Sequence, residues 1–400
     1  MRRVVITGAG TINPLGRDVA ATLDAMRAGR VAIGPLDIRD VDRLSVRVGA
    51  QVAGYDEAAH FTPKELTLFD RVTQFALLAG AEAMAASGLS TEGAAALRTG
   101  VVLGNSGGGL TTQDDNYRAV YEEGKNRVHP FIVPRLMANA AAAQLSMRYG
   151  IRGPALTIST ACASSNHAMG LAFQMIRSGM ADAMLTGGAE AMLCFGGIKA
   201  WEGLRVMSKD ACRPFSLGRT GMVQGEGAAV FVFEEREAAL ARGAPVLAEV
   251  AGFAMTSDAG DIVTPAQDGA ERAMQGALAD AGLAPQDIGY INAHGTGTAA
   301  NDRTEAAAIR AVFGAEPPPV SATKSMHGHL IGGTGAVELL ACVMALRDGV
   351  IAPTMGHQAP DPDCALDVVP NAARAARVDA ALSNAFAFGG MNAVLALKAV

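Results

Sequence analysis

Short apolar runs that end at glycine alternate along this 400-residue chain with longer stretches whose apolar positions recur at helical spacing. Val4–Thr7 is β-branched and stops at Gly8, which predicts a buried strand feeding a tight turn. Arg71–Ser87 is alanine-rich and amphipathic and meets Gly88, the signature of a helix with a glycine stop. A strand-like TGVVLGNSGGG follows, and then a polar stretch from Thr111 to His129. The strand ALTIS (Ala155–Ser159), a helical span over Ser164–Ser178 and the strand AMLTGG (Ala183–Gly188) make one strand–helix–strand unit. Alternation of this kind predicts a layered α/β architecture with a largely parallel sheet.

The two halves end alike. GEGAAVFVFEE (Gly225–Glu235) and GGMNAVLALKA (Gly389–Ala399) each place glycines before small and apolar residues and close on charge. This fits an internal duplication with its joint near Arg236–Pro245, dividing the chain into 1–240 and 241–400. Pro317–Pro319 is too short for a linker and introduces a strand at Val320–Ala322.

With 50% hydrophobic and 18% charged residues the chain is not disordered. No run approaches the roughly eighteen uncharged apolar residues of a spanning helix. Thirty-three Lys and Arg against 39 Asp and Glu give a net charge of −6, and the cations are scattered, which argues against nucleic acid. Five cysteines without a CxxC pair suit a reducing compartment. The four-residue apolar stretch after the two N-terminal arginines is too short for a signal peptide, so a cytoplasmic location is expected. GAGTIN has Asn13 where a dinucleotide fingerprint needs its third glycine, so a nicotinamide cofactor is not expected.

Cys162, in TISTACASSNHA, falls between a β-branched strand and a helix beginning near Ser164. A sulfur at a helix N-terminus is expected to have a lowered pKa, and the free N–H groups there can hold an oxyanion. The arrangement matches a nucleophile elbow; the alternative is a buried packing cysteine. Two histidines stand in glycine-rich turns: His294 in INAHGTGT and His329 in SATKSMHGHLIGGTGAVE. Cys162 with both could ligate zinc, with His327 making a weak H-x-H. Cys162 with one as base suggests acyl transfer. Lys324, five residues before His329, would keep a neighbouring imidazole neutral, a hydrogen-bond partner and not a cation.

TACASSNHA, NAHGTGTAAND, KSMHGHLIGGTGAVE and SNAFAFGGMNA, in this order, resemble the β-ketoacyl-acyl-carrier-protein synthases, especially synthase II, from the first strand to the last. CRPFS, AWEGLR and SNAFAFGGMNAVLALK look most like the nodulation-type synthases. The resemblance implies the thiolase fold, a duplicated five-layer αβαβα core forming a homodimer. It implies that Cys162 takes an acyl group from acyl carrier protein, with the N–H groups of Cys162 and Phe388 as oxyanion hole. His294 and His329 would hold the malonyl thioester carbonyl while CO2 leaves, and the resulting carbanion would attack the acyl-cysteine, giving a 3-ketoacyl chain two carbons longer. No cofactor is implied beyond the carrier's phosphopantetheine arm.

The family's buried cation site maps onto Asn292, Glu305, Glu338, Ser383 and Asn384, whose oxygens suit an alkali or other hard cation or serve only to orient Lys324 and the histidines. Phe388 matches the gating phenylalanine. Ala387, Met391 and His327 depart from the family pattern. Gly107 takes the place of a bulky residue that bounds the acyl pocket, so a wider pocket is expected. Lys64, Arg127 and Arg205 are the carrier-docking cations by resemblance. A ketosynthase of a type II polyketide or special-lipid pathway shares these motifs; a silent chain-length subunit would lack the cysteine, and thiolases pair it with a different set.

Overall fold

The computed structural model describes residues 1–400. Ten strands form one hydrogen-bonded run: β1 (Val4–Ile12), β2 (Thr99–Gly104), β3 (Ala155–Ile158), β4 (Ala183–Glu190), β5 (Gly227–Glu235), β6 (Ala248–Ser257), β7 (Tyr290–Asn292), β8 (Val320–Ser321), β9 (Ala380–Ala387) and β10 (Met391–Lys398). Their spatial order is β8-β7-β9-β10-β6-β1-β5-β4-β2-β3. Read outward from the antiparallel β1–β6 pair, where Val4 faces Val250, each half repeats the same pattern: two antiparallel pairings, then two parallel ones. The expected duplication is therefore visible strand for strand, and the two alike segments, β5 and β10, occupy equivalent places.

The expectation of a largely parallel sheet is corrected. Five of the nine pairings are antiparallel, because β9 turns straight back into β10 at Phe388–Gly390, too short a link for the crossover that parallel strands need. The strand at the N-terminus also runs on where a turn at Gly8 was expected. Gly8 and Gly10 lie inside β1 because helix α1 (Arg71–Ser87) passes over them: a Cβ there would sit 2.3 and 2.1 Å from the Ala83 and Ala79 carbonyl oxygens. Close packing of helix on strand, and not phosphate binding, is what these glycines serve.

Helices α2 (Ser164–Arg177) and α5 (Thr334–Asp348) pack against strands of both halves and against each other. Every residue of α5 from Thr334 to Leu346 is buried, as expected of a helix enclosed between two sheets. Helix α1 covers the outer face of the first half; α3 (Gln267–Ala281), with α4 (Ala299–Phe313) packed against it, covers the second. The result is the five-layer order α, β, α, β, α. The polar stretch after Thr111 is helical over Leu110–Tyr117. No helix is long and apolar enough to cross a membrane.

Candidate active site

Strand β3 delivers the chain to Ala161, whose φ of 47° is left-handed for a residue with a Cβ. That sharp turn places Cys162 just before α2. The helix start can lie against the end of β2 only because Gly104 has no side chain: a Cβ there would be 2.3 Å from the Ser165 nitrogen. His294 follows β7, and His329 follows a short helix, Lys324–His327, in the other half. The His329 backbone is stitched to the first half, its N–H donating to Val223 O (2.7 Å) and its carbonyl accepting from Gly225 N–H (2.9 Å). The two chemically distinct parts thus come from different halves and meet at one point.

There, His329 Nε2 lies 3.1 Å from Cys162 Sγ, and the two imidazoles meet edge to face with centroids 5.6 Å apart. Both histidines are buried, and both pKa values are pushed well below the ordinary value, by burial first and then by the Lys324 ammonium. Both rings are therefore neutral. Their tautomers follow from their neighbours. A backbone N–H, that of Ile331, donates to His329 Nδ1 (3.2 Å), and Lys324 Nζ, which can only donate, stands 3.5 Å from His294 Nδ1. Each Nδ1 is an acceptor, so each Nε2 carries the proton.

This removes two readings left open by the residues alone. Cys162, His294 and His329 bring ligand atoms within 4.8 Å of one another. A metal would need lone pairs where these rings present N–H bonds, so the donor set does not fit zinc. Nor can a protonated Nε2 act as base toward the thiol. The site instead offers two imidazole donors, and the backbone N–H groups of Phe388 and of Cys162 itself favour the charged form of the sulfur.

One expectation fails outright. Cys162 is only 6% exposed, and burial pushes its thiol up to about 12, while Lys324 and the two backbone N–H groups pull it part of the way back. Desolvation outweighs the helix N-terminus. The resting group is a thiol, and alkylation of Cys162 by iodoacetamide, followed by peptide mass mapping, is expected to climb about tenfold per pH unit from 7 to 10. A plateau near pH 7 would contradict this.

Lys324 is fully buried. It donates to Glu338 Oε1 (2.6 Å) and to the His294 carbonyl, which anchors it beside His294. Glu305 accepts from the N–H groups of His294 and Gly295, both at 2.8 Å. The remaining cation-site candidates Asn292, Ser383 and Asn384 are also fully buried. The Oδ1 atoms of Asn292 and Asn384 have no donor, and such orphaned acceptors fit a cation.

Phe388 stacks on Trp201 (centroids 5.9 Å) in a cavity of about 90 Å³ that Cys162 and both histidines also line. Gly107 does not line it. The space its missing side chain leaves is taken by Met192, whose Cε and Sδ would lie 3.0 and 3.2 Å from a Cβ there, so the expected extra room is already filled. Lys64, Arg127 and Arg205 are exposed and unpaired, but only Arg205 adjoins the cavity, through Val206; Arg127 borders a separate hollow with His129 and Arg135. His327 is held by Thr323 Oγ1 and Gly328 O, a packed core histidine. Trp201, Thr296, Thr298 and Asn301 also line the cavity and were not expected there, although the glycine-flanked GTGT that holds the two threonines is plain in the sequence.

Models of the beta-ketoacyl synthase N-terminal and C-terminal domains match residues 1–239 and 247–380. The chain is 48% identical to nodulation protein E of Rhizobium sp. (strain N33), over the full length of both. It is 40% identical to 3-oxoacyl-[acyl-carrier-protein] synthase 2 of Staphylococcus aureus (strain N315), covering 99% of this chain and 98% of that one. Among solved structures, a type II polyketide synthase acyl-carrier protein in complex with its ketosynthase bound to the hexaketide is 31% identical and superposes with a TM-score of 0.90, covering 100% of this chain and 99% of that one.

Proposed function

Because the chain belongs to the beta-ketoacyl synthase family, we propose that Cys162, His294 and His329 divide a decarboxylating condensation between them as a nucleophile and two hydrogen-bond donors. The chain is a condensing enzyme with the thiolase fold: it joins an acyl group to malonyl-acyl carrier protein and gives 3-oxoacyl-acyl carrier protein and CO2. The observation that carries the division of labour is the 3.1 Å approach of His329 Nε2–H to Cys162 Sγ.

In the first step Sγ attacks the acyl thioester on the carrier's phosphopantetheine arm. The N–H groups of Cys162 and Phe388 hold the oxyanion, and the pantetheine sulfur departs with the proton that the cysteine gives up. In the second, the malonyl thioester oxygen lies between His294 and His329. As CO2 leaves, negative charge builds on that oxygen, and donors fixed in place stabilise this transition state more than the ground state. The carbanion then attacks the acyl-Cys162 carbonyl, the same two backbone N–H groups hold the second oxyanion, and Sγ leaves as thiolate and takes up a proton from solvent.

Glu305, Glu338, Ser383, Asn292 and Asn384 would hold an alkali cation behind the histidines. When bound it supplies positive charge that offsets the two buried carboxyls, both pushed up to about 7 by burial. Phe388, packed on Trp201, is the gate between thiol and acyl chain. Arg205 is the best-placed cation for an acidic carrier protein, with Lys64 and Arg127 more remote. Strand β3, an uncovered sheet edge with Ala155 exposed, is the natural seam of a homodimer. The halves 1–240 and 241–400 act as one unit, joined through β1 and β6, in a cytoplasmic enzyme.

Purified protein mixed with acyl carriers of graded chain length and malonyl carrier is expected to show an acyl adduct on Cys162 by intact mass and a ketoacyl product two carbons longer, both absent in Cys162→Ala. The chain lengths accepted separate a fatty-acid enzyme from a polyketide or special-lipid one. No adduct with any carrier would overturn the proposal.

A further inference from the structure

Glu190 ends β4 as a fully buried carboxylate with no cation paired to it. A lone buried charge is costly unless hydrogen bonds replace its water. Here five donors do so: Asn105 Nδ2 (3.2 Å) and Gly107 N–H (3.2 Å) on one oxygen, and Ser106 N–H (3.0 Å), the Ser106 hydroxyl and Gly332 N–H (3.1 Å) on the other. Four of these belong to the turn after β2, which is itself rigid. Asn105 donates to Ala189 O (2.7 Å) and accepts from Gly108 N–H (2.6 Å), and its own N–H reaches Ile158 O (3.0 Å).

The fifth donor belongs to the other half. Gly332 sits in the tight turn Ile331–Gly333 that follows His329, and Ile331 is strained, with φ at 45°. The N–H of this same Ile331 fixes the His329 tautomer. Ser165 Oγ, three residues beyond Cys162, grips the Gly332 carbonyl. The strained turn is thus clamped at Gly332 from both sides, by Glu190 and by the helix that starts at the nucleophile. Loss of the Glu190 contact would let the turn relax and carry the Ile331 N–H away from Nδ1.

We propose that Glu190 is a positioning residue for the condensation step, holding the Ile331–Gly333 turn so that His329 keeps its proton on Nε2, facing Cys162. This rests on the reading of His329 as a donor to the malonyl thioester. It predicts that Glu190 matters for decarboxylation and little for loading, since the loading oxyanion is held by backbone N–H groups elsewhere.

The test compares wild type with Glu190→Gln, near in shape but with an amide nitrogen where an acceptor is needed. Acyl transfer to Cys162 is expected to stay within about twofold. The kcat for malonyl-carrier decarboxylation is expected to fall about 10- to 100-fold with KM little changed, as displaced catalytic groups do. In protein labelled with ¹⁵N-histidine, His329 is expected as the Nε2–H tautomer in wild type and as a mixture in the variant. Glu190→Asp, which keeps the charge and shortens the reach, is expected to show the same split and serves if the amide does not fold. Equal loss of both steps, loss of neither, or an Nδ1–H His329 in wild type would overturn the proposal. Wild type that cannot load Cys162 at all would instead overturn the condensation reading.

Discussion

His329→Ala is expected to load an acyl group on Cys162 and then to condense it about 10² to 10³ times more slowly, the usual cost of removing one oxyanion donor. The asymmetry follows from where charge develops. In the proposed mechanism the loading oxyanion is held by the N–H groups of Cys162 and Phe388, neither of which the substitution touches. During decarboxylation it lies on the malonyl thioester, where His294 would be left as the single donor. Because the ring is neutral in the resting site, the substitution removes a dipole and not a charge, and the pKa of Cys162 should stay high. Single-turnover loading, followed by mass, and CO2 release from malonyl carrier are the two readouts. Rapid condensation by this variant would show that the second donor is not needed. Loss of loading to the same degree would make His329 a partner of the thiol in both steps.

Much of this site is legible in the amino-acid sequence. The helix Arg71–Ser87 has the boundaries its alanine pattern and its glycine stop predict, and α2 starts at Ser164 as expected. Cys162, His294, Lys324 and His329 stand out because each lies in a small-residue or glycine-rich frame at or beside the end of an element, a local property. What is not legible depends on who the neighbours are. The high thiol pKa comes from burial by both halves at once, which no window around Cys162 contains. Met192 fills the place beside Gly107 although 85 positions separate them, so volume cannot be judged from the glycine alone. Glu190 sits in GGAEAM without any chemical company in sequence, and its five donors come from two loops that only the fold brings together. The tautomers of the histidines are equally out of reach of sequence, since they are set by one backbone N–H and one lysine.

That lysine carries the second large effect. Lys324 and Glu338 are 0% and 1% exposed at their side chains and are paired at 2.6 Å. Lys324→Met leaves the carboxylate buried without its cation, and breaking such a pair by removing one partner costs about 3–5 kcal/mol of stability. The loss has a pH signature. Glu338 already has a folded pKa near 7, raised by burial and pulled back by Lys324. A carboxyl raised above its unfolded value contributes stability that is full below the unfolded pKa and is lost as pH rises through the folded one. Without Lys324 the pKa rises further, so the deficit should be widest above pH 7 and narrow toward pH 5, measured as the shift in urea midpoint. The double variant Lys324→Met with Glu338→Gln removes both members of the buried pair, leaves Glu305 as in wild type, and should recover most of the stability. It should not recover condensation, because nothing then donates to His294 Nδ1 and the proton on Nε2 is no longer enforced. Stability and rate would thus separate in the double variant, where a lysine serving only to neutralise Glu338 would let both return together.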